Sequence, residues 1–424
     1  MATPKSISNR RPYRHDLDNL RTLGTALVVA QHTIVAYAGF AGQPPHSALF
    51  DKSSPIFTPY ILLNEAWGLG AFFFLSGHVS AQSLTKSTGW EFVKSKLWRL
   101  GVPTLLYSAF LHPLEEVILR PRGGLLFSLK AYFKKVRDFR LANLAEGGVW
   151  YTATLLIFDL CAALFKRCFY LFSNGRAKTS EFSKLAKTYE LLCRWGWLGV
   201  AGGSFLIGKK FPPGKGLPII NVQPFNLLQY IYAYALGHMA FHLGTHGIKG
   251  FVGNKSQPML SLGKALAISL GTLPVVLLPR LLRTKNIEKD SDTKEAEEGL
   301  GLGGWNSTTA LYAIWHELTF ITVAPAMFTL FERNYNRRGT SKIWSPRYAF
   351  AAYILHTPLS WVALRGVDAV FCPQGKRPAW MASKPWADFG QVAVIGAASM
   401  MDIVAAFGVS GLLINYVPGV DTIL

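Results

Sequence analysis

Arg21 and His32 stand eleven residues apart inside one apolar stretch, residues 17–39. That stretch is long enough to cross a bilayer as a helix, for which about 20 residues suffice. At about 100° per residue, eleven steps return the chain to within roughly 20° of the same direction. The two side chains therefore share a face, about 16 Å apart along the axis. Asp18, three residues before Arg21, joins the stripe. An imidazole with an unperturbed pKa near 6.5 exchanges protons at neutral pH. A guanidinium is a permanent cation able to fork onto a phosphate or an oxyanion. Ionisable groups at membrane depth are costly and usually face a cavity or a partner, so the stripe marks a candidate functional site. The alternative is an Asp–Arg pair at the interface with a histidine packed between helices.

A second apolar stretch carries Glu65-Ala-Trp67 and then Phe72-Phe-Phe-Leu-Ser76-Gly77-His78. A Ser-Gly pair in an aromatic run lets a neighbouring helix or a substrate approach the backbone closely. Packing alone would also account for it. The basic run Lys94-Ser-Lys96-Leu-Trp-Arg99-Leu-Gly-Val-Pro103 follows. It is either ordinary positive flanking of a membrane helix or an anion-binding surface. Further along, His316 beside Glu317, His356 and Asp402 fall near mid-membrane on the same map, with His316 and His356 as candidates to orient His32 or to stabilise an oxyanion. Each serves equally well as a hydrogen-bonding group between helices.

Taken together, these residues resemble the opening of the membrane acyltransferase-3 family: Arg14, Leu17-Asp18-Asn-Leu-Arg21, His32, Phe73-Phe-Leu-Ser76-Gly77 and Arg99-Leu to Pro103. Gln229-Tyr230 with Ala235-Leu-Gly237, and Tyr353-Ile-Leu-His356-Thr-Pro358, are similar to later segments of the family. The resemblance runs from about residue 13 to residue 360. It implies about ten membrane helices and transfer of an acyl group, acetyl in many members, from acyl-CoA to a hydroxyl of a carbohydrate or small molecule. It also implies that His32 is the essential histidine, that Arg21 is its partner in the same helix, and that Arg99 belongs to a basic donor-binding motif. Two positions depart from the pattern. Ser95 stands where an arginine is common, with Lys94 and Lys96 beside it, and His78 stands where phenylalanine is common.

The elements that must position these residues are legible in the composition. Half of the 424 residues are hydrophobic and only 16% are charged, in blocks that a window near 19 residues resolves into ten stretches. These fall near 17–39, 59–82, 98–118, 149–171, 190–207, 224–244, 259–281, 305–331, 347–371 and 390–416. The expected fold is an all-α, polytopic membrane bundle of about ten transmembrane helices. It comprises a cytosolic tail 1–16, a single membrane domain 17–416 and a short tail 417–424. Lys5, Arg10, Arg11 and Arg14 precede the first stretch and only Lys52 follows it, which places the N-terminus in the cytosol. Summed over the whole chain the basic residues of the loops divide almost evenly between the two sides, so the topology rests on the first stretch; residues 119–148 are the main offender and readable as an interfacial helix.

The net charge of +20 is spread over all the loops, which fits an anionic membrane surface and gives no nucleic-acid-binding face. The cysteines Cys161, Cys168, Cys193 and Cys372 show neither a disulfide framework nor metal-ligand spacing. Residues 172–188 read as a polar connector and 283–304 as a charged segment. The glycines of 299–304 formally match a dinucleotide fingerprint but lack the preceding strand, so they read as a hinge.

On this map Arg21, Lys96 and Arg99 cluster at the cytosolic face, where the phosphates of an acyl-CoA arrive, with Asp18 and Ser76 adjoining. His32 lies deeper by about the reach of a pantetheine arm. The expected partners are thus acyl-CoA, a hydroxyl-bearing glycan or small metabolite, and the bilayer, with no metal and no nucleic acid. Ser76 as an acyl-carrying nucleophile is a minor variant. A transporter relaying solute or protons through buried His, Asp and Glu groups is the competing class.

Overall fold

The computed structural model describes residues 13–40, 46–49, 55–119, 125–140, 145, 147–165, 179–213, 215–217, 219–252, 260–287, 304–339, 341, 343–373, 376 and 386–423. This part is 84% helical and carries no strand. Helices occupy each of the ten apolar stretches, in whole or in their described part. Four are long and apolar enough to cross a membrane: Gly147–Leu164, Phe182–Gly208, Ser307–Asn334 and Phe389–Tyr416. Outward-facing Leu206, Ile231, Val275, Val362, Met401 and Leu412 are exposed. Acyl chains would cover such a surface, and water would penalise it.

Helix α1 (His15–Ala38) ends where Gly39 takes a positive φ of 68° and donates its N–H to Val35, a conformation that costs glycine little. Helix α2 (Thr58–Lys86) starts with a proline in its first turn. A capping box of Thr88 and Glu91 opens α3 (Gly89–Lys96). The chain continues through a π-helical turn at Leu97–Gly101, α4 (Val102–Leu106), a second π turn at Tyr107–Leu111 and α5 (His112–Leu119). A short lateral helix α6 (Leu125–Arg137) and a 3-10 turn at Gly147–Val149 lead into α7 (Trp150–Leu164). Helix α8 (Thr179–Leu191) runs on through a π turn into α9 (Trp197–Gly208). Then come α10 (Pro224–His242), α11 (Thr245–Val252), α12 (Leu262–Ile287), α13 (Ser307–Asn334), α14 (Ala349–Phe371), α15 (Trp386–Tyr416) and α16 (Val420–Ile423).

Helix α2 lies along α10 more extensively than any other pair. The crossing is built on Gly77 and Gly237: a Cβ on the first would run into the Tyr234 carbonyl, and one on the second into the Phe74 carbonyl. Phe73 stacks on Tyr230 at 4.7 Å there, and Phe74 on Phe251 at 4.5 Å. Helix α1 packs against α13, α14 and α15. At its N-terminal end the Asn19 side chain donates to the Tyr335 and Arg337 carbonyls, and Asn415 donates to the Tyr348 hydroxyl. Beyond its C-terminal end Ser47 donates to Asp368 at 2.6 Å.

One loop assignment changes. Residues 179–188, expected within the polar connector 172–188, are helical because α8 continues into α9. The 119–148 segment does contain a helix, α6, with Lys134, Lys135 and Arg137 in its last turn. The acidic residues 288–298 and the glycines at 299–303 lie outside the described residues.

Candidate active site

His32 of α1 and His356 of α14 meet edge to face, their ring centroids 4.8 Å apart. Helix packing makes the encounter. Asp402 of α15 accepts from Thr33 at 2.7 Å and from Ser360, the residues next to His32 and one turn beyond His356. That carboxylate ties three helices together at the depth of the histidines. His356 is fully buried. Its Nδ1 lies 2.5 Å from the Tyr353 carbonyl, which only accepts, so Nδ1 carries the proton and Nε2 faces the Thr357 hydroxyl at 3.3 Å. His32 is only half-buried, and no described residue hydrogen-bonds either of its ring nitrogens. It is the unengaged member of the pair, free to meet a substrate hydroxyl.

The wall facing His356 is the 3-10 turn at Gly147–Val149. Gly147 has φ +76°, and a Cβ on it would sit 2.9 Å from the Tyr107 hydroxyl oxygen. A Cβ on Gly148 would approach the His356 ring at 3.4 Å and collide with Thr357. The Gly148 N–H donates to the Tyr107 hydroxyl at 3.1 Å, and its carbonyl accepts from Tyr353. The Tyr107 hydroxyl donates to Glu115 at 2.6 Å. Ser76 shares a 2.7 Å hydrogen bond with the Tyr151 hydroxyl. The Tyr151 ring lies 5.7 Å from that of Tyr353.

The basic residues fall into two situations. Arg21 is 44% exposed and pairs with Asp18 at 3.2 Å. Arg99 is exposed on the first π turn and makes no ion pair among the described residues. Lys96 instead points inward, with its ammonium 2.8 Å from the fully buried Asp159. Asp159 also accepts from Ser80 and from Tyr234 at 2.6 Å. The charge of Lys96 is therefore neutralised inside the bundle, where it joins α3 to α7.

His316 lies away from His32, in a second polar cluster between α2, α10 and α13. Its Nδ1 faces Gln229 and Glu317, both at 3.1 Å, and Asn226 donates to Glu65 at 3.0 Å. His78 packs edge-on against Phe241 at 5.6 Å. Tyr107, Glu115, Gly148, Tyr151 and Thr357 were not singled out by the sequence. A carboxylate inside the apolar run HPLEEVIL was the one available signal, because a buried acid needs a partner.

A family model, Acyl_transf_3, described as an acyltransferase domain, matches residues 14–401. No curated protein and no solved structure matches the chain.

Proposed function

The chain belongs to the acyltransferase-3 family, and from that premise we propose that it is a membrane O-acyltransferase. In this proposal it moves an acyl group, acetyl first among candidates, from acyl-CoA to a hydroxyl of a carbohydrate or small-molecule acceptor. The observation that carries the proposal is the His32–His356 pair, with His32 unengaged at its ring nitrogens. His32 takes the acceptor's O–H proton as that oxygen attacks the thioester carbonyl. The tetrahedral intermediate collapses with loss of the CoA thiolate, and the imidazolium returns its proton to the sulfur. Atoms and charge balance without a protein nucleophile or a metal.

Arg21 and Arg99 receive the donor's phosphates, since exposed guanidinium groups suit phosphate oxygens. Eleven residues of helix, about 16 Å, separate Arg21 from His32, which accommodates a pantetheine arm. Ten helical crossings with a cytosolic N-terminus complete the proposed topology and bring the donor from the cytosol. Lys96 is supporting structure in this scheme.

A transporter is the competing class, favoured by the buried Glu65–Asn226–Gln229–His316–Glu317 cluster. Acetyl-CoA binding to the purified protein separates the two. Saturable binding that free CoA competes away, weakened by Arg21→Gln and Arg99→Gln, supports the transferase. No binding with intact folding overturns it.

A further inference from the structure

Side-chain contacts join α1, α2, α7 and α14 into a closed ring. Phe72 of α2 lies over Gly24 of α1, where a Cβ would come within 2.7 Å of the phenyl ring. Phe72 meets Tyr151 of α7 at 5.9 Å, and Tyr151 meets Tyr353 of α14 at 5.7 Å. Tyr353 stands 5.7 Å from His356, which returns to His32 of α1 at 4.8 Å. Toward the middle of this ring α1 presents Arg21, Val28 and His32, a stripe at helical spacing. One flank of the stripe faces α2, where Gln31 accepts from Asn64. The other flank packs through Val29 on Ala349 and Ala352 of α14. Val28, His32, Phe72, Tyr151 and Tyr353 are nevertheless only half-buried. Partial exposure inside a ring of helices marks an open channel, a common place for a ligand in a bundle.

The channel carries a hydrogen-bonding group at its Arg21 end. The Gly24–Phe72 and Gln31–Asn64 contacts make α1 and α2 antiparallel. Ser76, one turn beyond Phe72, therefore stands level with Leu20 and Arg21, one turn before Gly24. There the Ser76 and Tyr151 hydroxyls share a hydrogen bond of 2.7 Å. Two hydroxyls bring two protons, and the shared bond uses one. With Ser76 donating, the Tyr151 proton is left over. Its other acceptor among the described residues is the Phe72 carbonyl at 3.5 Å, the outer limit of a hydrogen bond.

We propose that the Tyr151 hydroxyl, held in place by Ser76, donates to an amide carbonyl of the donor's pantetheine arm inside this channel. The subsite presupposes the transferase reading above. In acyl-CoA the phosphates, a first amide, a second amide and the thioester follow one another along the arm. The channel offers groups in the same order. The Arg21 guanidinium turns back to Asp18, three residues nearer the helix start. Tyr151 comes next, and His32 lies about 16 Å beyond Arg21 along α1. Standing level with Arg21, Tyr151 meets the amide remote from the sulfur. That carbonyl is a strong acceptor, and the methylenes beside it suit the rings of Phe72 and Tyr353.

The test uses membranes of a deletion strain complemented with each full-length variant, an extract of the strain's small molecules as acceptor, and mass spectrometry of the acylated product. Three donors of decreasing length are compared. Acetyl-CoA carries the phosphates and both amides, S-acetylpantetheine both amides without the nucleotide, and S-acetyl-N-acetylcysteamine the amide near sulfur alone. Tyr151→Phe is expected to raise KM about 3- to 10-fold for the first two, as for loss of one uncharged hydrogen bond, and to leave the third unchanged. Ser76→Ala leaves the phenol in place and shifts KM for the first two less than threefold. Arg21→Gln with Arg99→Gln raises KM for acetyl-CoA alone. Where a short donor supports no turnover, its inhibition of acetyl-CoA turnover gives the same comparison. Unchanged values for all three donors in Tyr151→Phe overturn the subsite. So does an equal rise for all three, or a fall in melting temperature that accounts for the loss. No acylated product from wild type with any donor would instead overturn the transferase reading itself.

Discussion

His32 and His356, from opposite ends of the chain, lie with their rings 4.8 Å apart and tilted by 64°. Two imidazoles so close resist carrying two positive charges, so the pair is suited to hold one proton at a time. Their engagement differs. His356 is bound at both nitrogens, to the Tyr353 carbonyl and to Thr357, while no described residue hydrogen-bonds a ring nitrogen of His32. That asymmetry is what supports the proposed base role of His32 and supporting role of His356.

His32→Ala is therefore expected to lower the acylation rate by at least about 10²-fold, the lower range for general-base catalysis, with normal abundance in the membrane. His356→Ala is expected to lower it less and to leave acetyl-CoA affinity unchanged. Rates of product formation at saturating donor measure both.

Arg21→Gln should act on the donor. Its side chain is 44% exposed and already paired to Asp18, so screening reduces the effect. The expected outcome is a rise in acetyl-CoA KM of roughly 3- to 10-fold with little change at saturation. Arg99→Gln should do the same, and the double variant more. An unchanged KM in the double variant would remove both from the donor site.

Lys96 and Asp159 form a buried pair at 2.8 Å. Removing one partner strands the other charge and is expected to cost about 3–5 kcal/mol. Lys96→Met should therefore reduce the detergent melting temperature sharply. Adding Asp159→Leu should recover part of the loss. A Lys96→Met protein of normal stability with weakened donor binding would return Lys96 to the donor site.

Ser76→Ala is expected to keep activity within about threefold of wild type, well short of the change that losing a catalytic proton donor or acceptor brings. The described partner of the Ser76 hydroxyl is Tyr151 at 2.7 Å, which is no general base at neutral pH. A trapped acyl group on Ser76 after mixing with labelled acetyl-CoA, read by peptide mass spectrometry, would reverse this.

Gly77→Ala is expected to cost at least about 1–3 kcal/mol, the range for overpacking, because the new methyl would enter the Tyr234 carbonyl. Loss of folded protein in detergent at a lower temperature checks it. Gly89→Ala, where nothing stands within 4 Å, is the control and should be neutral.

Helical periodicity was enough to place Arg21 and His32 on one face, since both lie on a single uninterrupted helix. The helices themselves were legible for the same reason: blocks of apolar residues longer than a soluble helix needs. His356 was a candidate in sequence, but its approach to His32 depends on how α1, α14 and α15 pack around Asp402, which no local pattern encodes. Lys96 was misleading because a cation in a basic run reads as surface charge. Its partner Asp159 lies on α7, and only tertiary packing brings it within 2.8 Å. Tyr107 and Glu115 escaped notice because the π turn that aligns them shifts the side-chain phase, which a regular 3.6-residue reading misplaces.

The most direct test compares metabolites and surface glycans by mass spectrometry in three strains: wild type, deletion, and deletion complemented with His32→Ala. The expected result is loss of one acylated species in the deletion, unrescued by a variant present at normal levels in the membrane, which identifies the acceptor and assigns His32 as the base. Full restoration by His32→Ala would contradict the mechanism, and no change in any acylated species would contradict the proposed transfer.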